Sequence, residues 1–148
     1  MAEQFGIINR GLSEELFQGI IARSEQGTAL DTMHMRFRSF APGETEMEMT
    51  VAPELLNGYG NLHGGLVSAL ADTAMGFAAM TLGHLVMTVE MNINFLAPAP
   101  GGDLLTAVGQ VIDSRIKLVV VEAAILDSKH RLVAKGRGTF LKTTRTII

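Results

Sequence analysis

The chain has 148 residues, 47% hydrophobic and 18% charged, which suits one globular domain with a full core and excludes a disordered chain. A formal net charge of -3 gives no electrostatic reason for a nucleic-acid partner, and the absence of cysteine excludes disulfides, cysteine–zinc sites and a thiol nucleophile. The opening MAEQFGIINRGLSEEL lacks a basic segment followed by an apolar one, so no secretory leader is expected, and a cytoplasmic location is.

In chain order, the first predicted element is a short amphipathic helix over residues 12–23, expected to pack on the outside of the domain. Leu16, Phe17, Ile20 and Ile21 share one side, Ser13 is the N-cap, Glu14 and Glu15 fill the first turn, and Gly27 is the stop. Two strand-like runs follow. Met33, Met35 and Phe37 alternate with His34, Arg36 and Arg38; beyond a turn at residues 41–44, Met47, Met49 and Val51 alternate with Glu46, Glu48 and Thr50. A hairpin with one apolar face accounts for both. Residues 62–82 form the longest apolar stretch, long enough to raise the membrane question. Asp72 near its middle would be costly in lipid. A buried helix is therefore expected, with no membrane as partner. A further strand is predicted over residues 88–96, where Val89, Met91, Ile93 and Phe95 alternate with Glu90, Asn92 and Asn94, and it is ended by Pro98, Pro100, Gly101 and Gly102. Three more strands are predicted over 103–113, 117–126 and 132–142, the last two joined by a turn at residues 127–131. An α+β domain, with one antiparallel sheet wrapped around a single long central helix, satisfies this order.

A wheel at about 100° per residue sorts the central helix. Leu66, Leu70, Thr73 and Phe77 form a bulky side, and Val67, Ala71, Ala78 and Leu82 another. Gly65, Ser68, Asp72, Gly76 and Ala79 form a narrow stripe of small residues that carries the one ionisable group. Such a helix is expected to be buried on nearly all sides, and a lone carboxylate there needs partners or a function. Pairing with Arg115 or Arg137 is one account of Asp72; a reactive carboxylate, with space left beside it by small neighbours, is the other.

The segment NGYGNLHGG leads into this helix. Gly60, Gly64 and Gly65 permit close backbone approaches, and the free N–H groups of a helix start suit an oxyanion or a phosphate. A tight turn is the competing explanation. Gly64 and Asp72 are eight residues apart, about 12 Å along a helix, too far to touch one reacting carbonyl. Either they serve different purposes, or a two-fold partner brings its own Asp72 to this Gly64 and makes two composite sites.

The run Asn57, Gly60, Leu62-His63-Gly64-Gly65 and Leu70-Ala71-Asp72 resembles the phenylacetate-pathway (PaaI-type) hotdog thioesterases. So do Thr88-Val89-Glu90-Met91-Asn92-Ile93-Asn94-Phe95-Leu96 with Pro98, then Gly102, then Val133-Ala134-Lys135-Gly136. The likeness covers roughly residues 40–142 of a single 1–148 domain, with residues 1–27 an extension and helix in front. It implies the hotdog fold, homodimers with a continuous sheet paired into tetramers, and hydrolysis of small aryl- or medium-chain acyl-CoA without a cofactor. It also implies roles: Gly64 as oxyanion donor, Asn57 as orienter of carbonyl or water, Asp72 as general base or nucleophile, Thr88 as the hydroxyl that positions the carboxylate or the water. His63 would orient substrate or shape the loop, and Gly65 and Ser68 would line the substrate path.

That chemistry needs no metal, and no two histidines have ligand spacing. A thiol of pKa about 8.5 leaves with little acid help, so the demanding parts are stabilising the oxyanion and activating water. Burial that raises the Asp72 pKa would suit it to the second. Arg115, Lys117, Lys135 and Arg137 are candidates for the CoA phosphates, against ordinary solvated charge. Two rival functions remain at this point. A hotdog hydratase or dehydratase would pair a His with a carboxylate and show a Pro-rich helix entry, and a non-catalytic acyl-CoA sensor would not need Asp72 and Thr88.

Overall fold

The computed structural model describes residues 6–25 and 28–148. Along the chain come Ile8–Asn9 (β1), Glu14–Ser24 (α1), Thr28–Thr32 (α2), Met35–Ala41 (β2), Glu44–Thr50 (β3), Gly64–Met80 (α3), His84–Phe95 (β4), Leu104–Ser114 (β5), Leu118–Leu126 (β6) and Leu132–Thr146 (β7). A single 3-10 turn, Pro53–Leu55, precedes the central helix. The strands form one sheet in the order β1-β2-β3-β5-β6-β7-β4. Every neighbouring pair is antiparallel except β1 with β2. No helix among the described residues is long and apolar enough to cross a membrane.

Local chemistry explains most of these boundaries. The Ser13 hydroxyl accepts from the Leu16 N–H at 3.3 Å and starts α1; the expected stop at Gly27 lies outside the described residues. Phe17, Ile20 and Ile21 are buried, with the Phe17 ring edge-on to Phe40 at 6.4 Å. A Cβ on Gly19 would sit 2.7 Å from Ile147 Cγ2, so glycine there lets the chain's end lie against α1. The β2–β3 hairpin turns at Pro42 and Gly43, where φ is +74°, and Met47 and Met49 point inward while Glu46 and Glu48 stay half-buried. The β6–β7 turn is tied by Asp127, which accepts from the Lys129 and Arg131 N–H groups. Those bonds, the Arg131 N–H foremost, hold its carboxyl below the usual range.

α3 lies across one face of the sheet, against β2 to β7. At Gly109 of β5 a Cβ would stand 2.4 Å from the Ala74 carbonyl oxygen, so only glycine lets the helix come down this far. Leu70 and Met75 of the helix and Met47, Met49, Phe40 and Phe140 of the strands are fully buried, each such side chain stabilising the fold by about 1.5–3 kcal/mol.

Two expectations need correction. α3 is not buried on nearly all sides: Val67, Leu70, Ala71, Ala74 and Ala78 meet the sheet, but Leu66, Ser68, Asp72, Thr73 and Gly76 are only half-buried. A single sheet covers one flank of a helix, and the small-residue stripe runs along the other except at Ala79, which is buried. Leu82, placed with the apolar face, lies beyond the helix end and is exposed. Strand β4 also begins at His84, ahead of the alternating run, and forms an outer edge of the sheet with Met87, Val89 and Phe95 more than half exposed.

Candidate active site

The loop before α3 is built on Asn57. Its Oδ1 accepts from the Tyr59 N–H at 2.9 Å and the Asn61 N–H at 3.2 Å, and its backbone N–H donates to the Asn61 carbonyl at 2.7 Å. Because both side-chain partners are donors, the carboxamide oxygen is committed to the loop. No acceptor among the described residues meets its Nδ2.

His63 is the N-cap of α3. Its Nδ1 accepts from the Gly65 N–H at 3.0 Å, which places the proton of the neutral ring on Nε2. The Leu66 and Val67 N–H groups donate to the His63 carbonyl, and the His63 N–H donates to the Leu55 carbonyl. Gly64 differs: no acceptor among the described residues meets its N–H. It carries the partial positive charge of the helix start. A Cβ on Gly64 would be 3.6 Å from the Phe95 ring. Ser68, one turn on, spends its hydroxyl on the Gly64 carbonyl at 3.0 Å.

Asp72 projects from the open flank of α3, half-buried rather than enclosed. Its Oδ1 accepts from the Thr88 hydroxyl at 2.8 Å. Neither proposed basic partner reaches it: Arg115 bonds Asp113 at 2.7 Å and Arg137 bonds Glu122 at 2.7 Å. Thr88 meets Asp72 because β4 is irregular. Thr88 pairs with Phe140 and Glu90 with Thr139, so Val89 is an extra residue in the ladder. Strict alternation would put Thr88 on the outer face with Glu90. The bulge turns it inward, beside the buried Phe140.

These groups border two separate pockets. Asn57, Gly64, Phe95 and Pro98 line one of ≈ 360 Å³; Asp72 and Thr88 line another of ≈ 320 Å³. No described residue lines both. Gly65 and His63 border neither, nor do Ser68, Arg115, Lys117, Lys135 and Arg137. Glu122 engages both Lys135 and Arg137 on the outer face of the sheet, and the Arg137 hydrogen bond leads in holding its carboxyl below the usual range.

Several lining residues escaped the sequence reading. Arg23 and Leu30 border the Asp72 pocket from the N-terminal segment, with Phe77 and Met80 of α3 and Phe140 of β7. Nothing in local spacing brings the first two to Asp72, and Phe140 read as an ordinary strand residue.

A family model described as the thioesterase superfamily matches residues 59–134. The chain is 31% identical over 127 residues to acyl-coenzyme A thioesterase PaaI of Escherichia coli, covering 86% of this chain and 91% of that one. The solved structure of the E. coli PaaI protein superposes with a TM-score of 0.88, covering 92% of this chain and 99% of the other. A Streptococcus mutans protein bound to acetyl CoA gives a TM-score of 0.73 at 27% identity, over 75% of this chain and 90% of its own. For a hypothetical thioesterase of Streptococcus pneumoniae, also 27% identical, aspartate-to-alanine and threonine-to-alanine variants have been solved, each with a TM-score of 0.71. They cover 74% of this chain and 89–90% of theirs, and the two substituted residues are sixteen positions apart.

Proposed function

The chain belongs to the thioesterase superfamily and is a thioester hydrolase of the hotdog fold, and from that premise we propose that it hydrolyses acyl-CoA at sites shared by two copies of the chain. The observation that carries this reading is the division of the chemistry between two pockets with no described residue in common. Among the described residues, one holds the unused Gly64 amide and no carboxylate, and the other holds the Asp72 carboxylate but not that amide. A two-fold axis repairs both at once by setting the partner's Asp72 against this Gly64, twice per dimer. The free, largely apolar edge of β4 is where such a partner extends the sheet.

In such a site the Gly64 N–H and the helix start receive the oxyanion that forms when the thioester carbon is attacked. The Asn57 Nδ2 supplies a second donor. Asp72 activates the attacking water, or attacks first and is released by water; either way the C–S bond breaks and the thiol departs without a strong acid. Support for Asp72 and Thr88 as a working pair comes from their separation of sixteen residues, equal to that of the substituted aspartate and threonine in the S. pneumoniae protein. His63 spends Nδ1 on its helix cap and borders neither pocket, which argues against a histidine–carboxylate hydratase. For the CoA phosphates, Lys117 ranks first of the four bases, since among the described residues the other three already have carboxylate partners. Met87, Leu141 and Leu118 lie in register as an exposed apolar row on the outer face, which suits pairing of dimers into a tetramer.

Initial rates over a panel of acetyl-, hexanoyl-, phenylacetyl- and benzoyl-CoA, with released thiol as the readout, test the reading. Turnover of at least one by the wild type is expected, and none across the panel would overturn it. Thr88→Val is expected to lower kcat about tenfold to a hundredfold with little change in KM, because a misaimed carboxylate loses attack geometry rather than binding. Thr88→Ser should recover most of the loss; equal damage from both variants would remove the hydroxyl from the mechanism.

A further inference from the structure

The Asp72 pocket has a second charged wall. Arg23, in the last turn of α1, borders it together with Ala29 and Leu30 of α2. The remaining lining is mostly apolar: Gly76, Phe77, Met80, Val86 and Phe140. Thr73 has its hydroxyl bonded to the Ala69 carbonyl at 2.8 Å, and Asp72 and Thr88 are bonded to each other. The Arg23 guanidinium is bonded to nothing among the described residues and forms no ion pair with Asp72, although both face this space. Its helix is firmly seated, since Ile20 and Ile21 on the same turns are fully buried.

A half-buried arginine with five donors and no acceptor is poorly matched to a purely hydrocarbon acyl group. Filling the pocket with such a group would strip water from the guanidinium and replace it with nothing. We propose that Arg23 determines acyl specificity by receiving a hydrogen-bond-accepting oxygen at the far end of the acyl group, whose thioester end lies at Asp72. The pocket volume of ≈ 320 Å³ is at the small end for ligand sites, so the acyl group is short. Two sources supply that oxygen: a terminal carboxylate, bound in bidentate fashion, or a ring hydroxyl. The assignment rests on the reading of Asp72 as the reacting group and adds to it a residue outside the span that the family model matches.

Matched pairs of substrates read this directly. Adipoyl-CoA and hexanoyl-CoA differ only in a terminal carboxylate, and 4-hydroxyphenylacetyl-CoA and phenylacetyl-CoA only in a ring hydroxyl. In at least one pair the wild type should prefer the oxygenated member in kcat/KM by about tenfold to a hundredfold. Arg23→Met, with a helix-forming side chain of similar length, should bring that ratio close to one, and Arg23→Lys should keep part of it. The pair that responds identifies the source of the oxygen. A wild type without preference in either pair, or a preference that survives Arg23→Met, overturns the assignment while leaving thioester hydrolysis standing. Equal losses on both members of a pair also overturn it, because they mean that Arg23 acts on Asp72 or on folding. Absence of turnover on every acyl-CoA would instead sink the reading of the site itself.

Discussion

Asp72→Ala lowers kcat for thioester hydrolysis by about a thousandfold or more, while the circular dichroism spectrum, melting temperature and oligomeric state stay near those of the wild type. The size follows from what a positioned carboxylate contributes to water activation, about 10²–10⁴-fold. The second half follows from where Asp72 sits. It is half-buried on the open flank of α3, and among the described residues its side chain is hydrogen-bonded to Thr88 alone. Alanine is the better helix former at an interior position, so removal costs the fold little. A structural carboxylate would behave in the opposite way, with a stability loss and a modest rate effect. Asp72→Asn separates charge from shape: it can keep the contact to Thr88 but can neither take a proton nor attack. It should therefore be about as inactive as Asp72→Ala, and near-normal turnover in either variant would remove Asp72 from the chemistry.

The fold was legible because its elements announce themselves by period. Met47 and Met49 against Glu46 and Glu48 give a strand with one buried face, and the structure buries those two methionines completely. The long apolar run gave the helix but not its open flank, since a wheel shows which residues are apolar and not how far one sheet can wrap. Thr88 is the sharper lesson. By alternation it belongs with Glu90 on the outer face, and only the resemblance of the segment to a family singled it out. The physical reason it reaches Asp72 is the bulge at Val89, and one extra residue in a ladder leaves no mark on the hydrophobic pattern. Arg23 was illegible for another reason. It reads as a solvated base in the last turn of an amphipathic helix, and its place on the Asp72 pocket depends on how α1 docks through Ile20 and Ile21.

Gly64→Pro is expected to cost about 10²–10³-fold in kcat, the usual loss on removing one oxyanion donor, and the local geometry makes it a clean test. Gly64 is the first residue of α3, the position where proline is best tolerated in a helix. His63 before it has φ -59° and ψ 133°, the extended conformation that a following proline requires. A Cβ there meets the Phe95 ring at 3.6 Å, an ordinary contact. The substitution thus removes an N–H that no described residue uses and disturbs little else. Gly64→Ala adds the same Cβ but keeps the N–H, and should retain far more activity than the proline variant. The decisive measurement mixes the two dead chains. Asp72→Ala and Gly64→Pro, co-expressed at equal levels, pair at random, so about half of the dimers are mixed. Each mixed dimer joins the intact Gly64 of one chain to the intact Asp72 of the other at one of its two sites. Activity should return to about a quarter of the wild-type level per chain. Were each site built from a single chain, every chain in the mixture would lack one essential group and nothing would return. The separation of about 12 Å between Gly64 and Asp72 along one helix makes recovery the expected result.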